Sequence, residues 1–259
     1  MKGLHFNKDY LQKNYYRIIG IASAALVAAA LILNIFNTKD NIVSAPETKT
    51  EEEAPKAENT EVTFADDFSD TAFVGDSRTQ GLMLYSGLSK ASFYTATGLT
   101  SKEVVEKPEV DTDGGKITII DAIAQNNFAR IYISLGINEL GWAYPDLFKS
   151  AYGDMLDKIK EVQPNAVIYV NNIFPVNREL MKKPKDYMTN ERIAEYNEII
   201  KNVCAEKGVN FVDVASIMTD KNGNLYEQAT TDGIHLNKPF CDRWIAYLKG
   251  EKIDEIVED

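Results

Sequence analysis

The sequence predicts an α/β protein built on a parallel sheet with helices on both faces. Two observations carry that expectation. From about Thr63 onward, short strand-like runs alternate with segments of helical length, the order a parallel sheet requires, because each crossover between parallel strands needs a long connection. The strand-like runs are also mostly apolar rather than alternating. Arg130–Leu135 reads RIYISL and Ala166–Val170 reads AVIYV, as expected of strands buried on both faces.

The elements follow in order. Thr71–Gly75 is a short apolar run ending in a turn, and Arg78–Tyr85 continues as a helix. Ala91–Ala96 reads as a second strand, followed by Gly98. Ser101 caps a short helix with Glu103 in its first turn, where a carboxylate meets the positive end of the helix dipole. Ile117–Asn126 reads as a helix, although its β-branched start also suits a strand. Arg130–Leu135 is the third strand. Pro145–Val162 places Leu147, Ala151, Met155, Ile159 and Val162 at a helical period. Ala166–Val170 is the fourth strand, and Ile193, Tyr196, Ile200 and Val203 mark a second long helix. Val209–Val212 is the last strand and Leu236–Leu248 a terminal helix. No internal repeat is evident.

The 259 residues carry a formal net charge of -11. The last two hundred show no basic patch, which argues against a nucleic-acid partner. The first forty differ in composition. The run IIGIASAALVAAALILNIF, Ile18 to Phe36, holds no charged residue and is long enough to cross a bilayer as a helix. Lys2, Lys8, Lys13 and Arg17 precede it against the single acid Asp9, which puts that end in the cytoplasm. The expected organisation is a basic cytoplasmic tail (1–17), a single-pass membrane anchor (18–37), a disordered acidic linker (38–62) and an extracellular domain (63–259). In the linker three lysines face seven acids, with few large apolar side chains to offset the entropy of ordering. A cleaved signal peptide is the competing reading, because Val43-Ser44-Ala45 resembles a cleavage site. The length of the apolar run and Pro46 directly after that site favour the anchor.

Cys204 and Cys241 both fall in predicted helices. They either pair or remain two buried thiols, since sequence does not supply their Cα separation. One histidine and two distant cysteines do not make a zinc site, and no metal or cofactor is expected.

In sheets of this kind function gathers at the carboxyl ends of the strands. Those ends carry Gly75-Asp76-Ser77, then Gly98, then Gly136-Ile137-Asn138-Glu139, then Asn171-Asn172. Thr231-Asp232-Gly233-Ile234-His235 follows the fifth strand after a loop. A hydroxyl attacks an ester only if a base takes its proton, and imidazole is the usual choice near neutral pH. His235 is the one histidine of the body, so a serine mechanism has a single candidate base. Ser77 sits where a strand turns into a helix, which points its amide at developing negative charge. Gly98 has no side chain to obstruct backbone approach, and Asn138 offers a neutral donor. Asp232 and His235 are close enough in sequence to share one turn and touch.

Gly75-Asp76-Ser77, Gly98, Gly136-Ile137-Asn138 and Asp232-Gly233-Ile234-His235, in this order, resemble the SGNH (GDSL-type) hydrolase family. The likeness covers residues from about 70 to 250. It implies a three-layer sandwich with a central five-stranded parallel sheet of the flavodoxin-like type. It implies Ser77 as nucleophile, His235 as base and Asp232 as the group that orients the imidazole. It further implies an oxyanion hole made by the backbone N–H groups of Ser77 and Gly98 and the side-chain amide of Asn138. Two positions depart from the family pattern. Glu139 stands where Asp is common, a position that supports the loop rather than the chemistry. Arg78 stands where many members are apolar. It contacts an anionic substrate group, pairs with a nearby acid, or is a solvated arginine at a helix start, the last being favoured.

Asp76 reads as a turn-former that accepts local backbone N–H bonds. Trp142 and Tyr144 either contact substrate or pack their own loop. Asn172, with Asn171, either bonds substrate or caps the loop before Pro175. The expected activity is hydrolysis of acyl esters, chiefly acetyl esters on carbohydrate, through an acyl-Ser77 intermediate. The expected partners are that ester and the membrane. An O-acyltransferase of surface glycans with the same site, and a surface binding module that keeps only the scaffold, are the alternatives.

Overall fold

The computed structural model describes residues 64–254 and 256. The expected tail, anchor and linker (1–17, 18–37 and 38–62) lie outside these residues. Among the described residues no helix is long and apolar enough to cross a membrane.

In chain order the strands are β1 (Thr71–Gly75), β2 (Ser92–Thr95), β3 (Pro108–Thr112), β4 (Gly115–Thr118), β5 (Arg130–Ser134), β6 (Val167–Asn171) and β7 (Asn210–Val212). The α-helices are α1 (Ser77–Tyr85), α2 (Ser101–Glu106), α3 (Ile119–Ile123), α4 (Pro145–Val162), α5 (Asn190–Lys207) and α6 (Lys238–Leu248). Five strands form one parallel sheet in the order β2-β1-β5-β6-β7. The expected five-stranded parallel sheet and three layers are therefore present. Counting only these strands, the order is 2-1-3-4-5, with a topological switch between β1 and β5. There the connections leave in opposite directions and open a crevice at the carboxyl ends of the strands.

Alternate strand residues serve opposite layers, because successive side chains point to opposite faces. Ala72, Val74, Ile131, Ile133, Ile168 and Val170 pack with Val104, Tyr152, Met155, Tyr196 and Ile200. Phe73 and Tyr132 pack with Leu82 of α1 and Phe240, Trp244 and Ile245 of α6. On that second face Phe93, Phe73, Tyr132 and Tyr169 stand in register on four neighbouring strands. Their rings stack with centroids 4.9, 5.3 and 4.9 Å apart. Each such pair adds about 1 kcal/mol beyond its burial.

Two local expectations are corrected and one open alternative is decided. Ile117 and Thr118 do not begin a helix. They belong to β4 of an antiparallel hairpin, β3 with β4, and the helix starts only at Ile119 with Thr118 as its cap. The β-branched pair took its strand option. The cap of α2 is Thr100 rather than Ser101. Its hydroxyl accepts from Glu103 N while the Glu103 carboxylate accepts from Thr100 N, a reciprocal arrangement that satisfies two donors at once. Finally, Cys204 and Cys241 are both free and buried. They lie in the clusters on opposite faces of the sheet, so the two-thiol reading holds. Burial pushes both thiols up to about 12.

Candidate active site

Ser77 is the first residue of α1. The preceding Asp76 caps the helix, its Oδ1 accepting from Arg78 N at 2.9 Å, as expected of a turn-former. The Ser77 amide thus lies in the first turn, where N–H groups have no intrahelical acceptor and the helix dipole is positive. Ser77 Oγ lies 2.9 Å from His235 Nε2, across 158 residues of chain. The other ring nitrogen, Nδ1, lies 2.7 Å from Asp232 Oδ2. Hydroxyl, imidazole and carboxylate are therefore in line and within bonding reach.

The turn that presents His235 is tightly specified. Asp232 Oδ1 accepts from the backbone N–H groups of Ile234 and His235, both at 2.9 Å. Thr230 Oγ1 accepts from Gly233 N at 3.0 Å. Gly233 has φ +81°, and a Cβ there would lie 2.2 Å from the carbonyl oxygen of Asn177, so only glycine fits. Burial works to raise the Asp232 carboxyl, but the bonds from the His235 ring and the two amides outweigh it and hold the group at about 2. An ionised Asp232 accepts a proton-bearing Nδ1 and leaves the Nε2 lone pair facing Ser77.

The opposite side of the crevice is built by Asn138 and its neighbours. Asn138 Nδ2 donates to Leu99 O at 3.0 Å and to Asp76 Oδ2 at 3.3 Å. That places the amide between the Ser77 turn and the loop carrying Gly98, which has φ +76°. Glu139 is fully buried, and its Oε1 accepts from Ser101 N at 2.7 Å. It ties the loop after β5 to the start of α2, beside Gly98. The loop support expected at this position is real, but the partner could not be read from local sequence because it lies 38 residues away. Burial pushes the Glu139 carboxyl up to about 7 and that of Asp76 to about 6.

Four residues offered as substrate contacts fare differently. Arg78 is neither solvated nor open to substrate. It is buried, its Nη1 donates to Phe174 O at 2.8 Å, and its guanidinium lies 4.0 Å from the Phe174 ring centroid. Burial lowers its pKa to about 10, against the pull of Asp76 and Asp232. Asn172 is also buried and turned to structure. Its Nδ2 donates to Asp213 Oδ1 at 2.6 Å and its Oδ1 accepts from Ala215 N at 2.9 Å. Trp142 lines a separate groove with Lys102, Val105 and Leu147, and Tyr144 is exposed. The cleft that holds Ser77 and His235 has a volume of about 740 Å³ and is walled by other residues, among them Gln80, Gly81, Leu84, Thr97 and Pro239. Sequence reading missed these. The helical spacing of Gln80, Gly81 and Leu84 from Ser77 was the available signal.

A parallel sheet with this crevice and this line of polar groups defines an ester hydrolase. The chain belongs to the GDSL-like lipase/acylhydrolase family, whose model matches residues 73–239. Several solved structures share the fold. A protein from Streptococcus pneumonia assigned as a platelet activating factor is 21% identical with a TM-score of 0.56, over 69% of this chain and 80% of that one. A GDSL-like lipase from Bacteroides thetaiotaomicron is 17% identical with a TM-score of 0.53, over 70% and 87%. An acylhydrolase assignment from Bacteroides fragilis is 16% identical with a TM-score of 0.52, over 70% and 86%. No curated protein matches the chain.

Proposed function

We propose that this protein is a serine esterase that acts through an acyl-Ser77 intermediate. The observation that carries the reading is the continuous relay from Ser77 Oγ to His235 Nε2 at 2.9 Å and from His235 Nδ1 to Asp232 Oδ2 at 2.7 Å. His235 takes the Ser77 proton as the oxygen attacks the ester carbonyl. The oxyanion is met by the N–H groups of Ser77 and Gly98 and by Asn138 Nδ2, for which it replaces the longer bond to Asp76. The imidazolium then gives its proton to the departing alcohol. Water enters, His235 takes a proton from it as its oxygen attacks the acyl carbonyl, and the imidazolium returns that proton to Ser77 Oγ as the acyl–oxygen bond breaks and the acid leaves.

The Asp232 and His235 side chains are 51% and 43% exposed, which gives water direct access to the acyl-enzyme, as hydrolysis requires. The substrate in this reading is an acyl ester carried on carbohydrate, with acetyl the simplest case. An open cleft of about 740 Å³ is compatible with a bulky alcohol. The uncharged run 18–36 would hold the enzyme at the outer face of the membrane.

The purified full-length chain should react with a fluorophosphonate at Ser77 alone and release acetate from an acetylated glycan. Labelling of a different serine would remove the mechanism. Transfer to added glycan faster than acetate release would convert the esterase into an acyltransferase. Protease treatment of intact cells should digest the 63–259 domain, and its protection would overturn the outward orientation.

A further inference from the structure

The catalytic cleft continues past Ser77 along one face of α1. Ser77, Gln80, Gly81 and Leu84 are spaced i, i+3, i+4 and i+7, so they form a single stripe, and all four line the cleft. Leu236, just before α6, and Pro239, in its first turn, line the same cleft. Gly81 stands inside a helix, where glycine is a poor choice. Neither packing nor backbone demands it, because a Cβ there would meet nothing within 4 Å. The missing side chain instead leaves the cleft open one turn beyond the nucleophile. Leu84 and Tyr85 follow at its far end, 68% and 45% exposed. Leu84 lies roughly 10 Å along the helix axis from Ser77. Lys238 Nζ donates to Tyr85 O at 3.3 Å and joins the two walls at that end. Adjacent exposed apolar side chains that continue a reactive cleft mark a binding surface.

We infer that this stripe is a subsite for an apolar group of the ester, running from Ser77 over Gly81 to Leu84 and Tyr85, and that Gly81 sets the size of the group admitted. The inference rests on Ser77 being the nucleophile. On a carbohydrate ester the apolar group is the acyl chain; an apolar alcohol would replace the carbohydrate in that reading, and two substrate series separate the two cases. One is p-nitrophenyl esters of acids from acetate to decanoate. The other is acetate esters of alkanols of the same lengths.

With the full-length protein, kcat/KM should rise with chain length in one series, up to the reach of Leu84. Gly81→Leu should lower the ratio of long-chain to short-chain kcat/KM in that series by about tenfold or more, the scale of lost apolar contact in a pocket. Leu84→Ala should lower the same ratio through KM rather than kcat, and it decides the matter if Gly81→Leu does not fold. An unchanged ratio in a folded variant, or no length dependence in either series, would overturn the subsite. Absence of any turnover and of Ser77 labelling in the unaltered protein would overturn the catalytic reading instead.

Discussion

Two kinds of carboxyl group meet at the carboxyl edge of the sheet, and the fold treats them in opposite ways. On one side of the crevice Asp76 and Glu139 are buried and pushed up to about 6 and about 7. On the other, Asp232 is half exposed and held at about 2. The difference is depth of burial, set against the supply of donors. Asp232 takes two backbone amides and a ring nitrogen while keeping contact with water. Glu139 takes one amide in an apolar setting, and its Oε2 has no protein partner. A carboxylate rich in amides stays charged and can orient an imidazole. A deeply buried one resists ionisation even with a donor or two, and here the pair serves as a clamp on the loops that carry Gly98 and Asn138.

The sharpest way to break this contrast is at Asp232. Asp232→Asn should keep the fold and lower kcat by about 10⁴-fold, because the amide cannot hold the imidazole in the required tautomer. A loss in steady-state kcat no larger than that of Asp76→Asn would erase the distinction between the two sides. Asn138→Ala should cost about 10²- to 10³-fold in kcat, roughly 3 kcal/mol, with little change in KM. Gly233→Ala introduces an L side chain at φ +81° against the Asn177 carbonyl. Urea titration should show a loss of about 2 kcal/mol, accompanied by reduced activity from a displaced His235.

The smallest effect sharpens the comparison through pH. Glu139 and Asp76 hold protons in the folded protein that the unfolded chain has already released. Stability from them is fully present below the ordinary carboxyl range and declines as pH rises toward about 7. Asp232 runs the other way, contributing above the ordinary range and losing its contribution as pH falls toward about 2. Glu139→Gln should therefore flatten Tm against pH between about 4.5 and about 7 and leave the acid-side fall intact. An unaltered neutral-side slope would show that Glu139 is ionised in the fold.

The strand ends and the polar groups on them were legible in the sequence, because each rests on a local rule. Apolar runs of strand length, Gly75-Asp76-Ser77 at a strand-to-helix turn, and an acid three residues before the only available imidazole need no distant partner to be noticed. What escaped reading depends on distant partners. Burial of Arg78 is created by Phe174, 96 residues away, and Asn172 is occupied by Asp213 and Ala215 from another segment. The hairpin Pro108–Thr118 escaped for the opposite reason. Its strands are largely solvent-facing, so no buried alternation marks them. Gly81 is informative only once a cleft is seen beside it.

The Ser77–His235 contact has a kinetic corollary. Among the described residues β1 ends just before Ser77, the other four strands of the sheet lie between Ser77 and His235, and no strand follows His235, so a nascent chain that stops short of His235 cannot assemble the relay. Catalysis is thereby an all-or-nothing reporter of complete folding, and esterase recovery during refolding should track the slowest long-range docking event rather than the early appearance of helical signal.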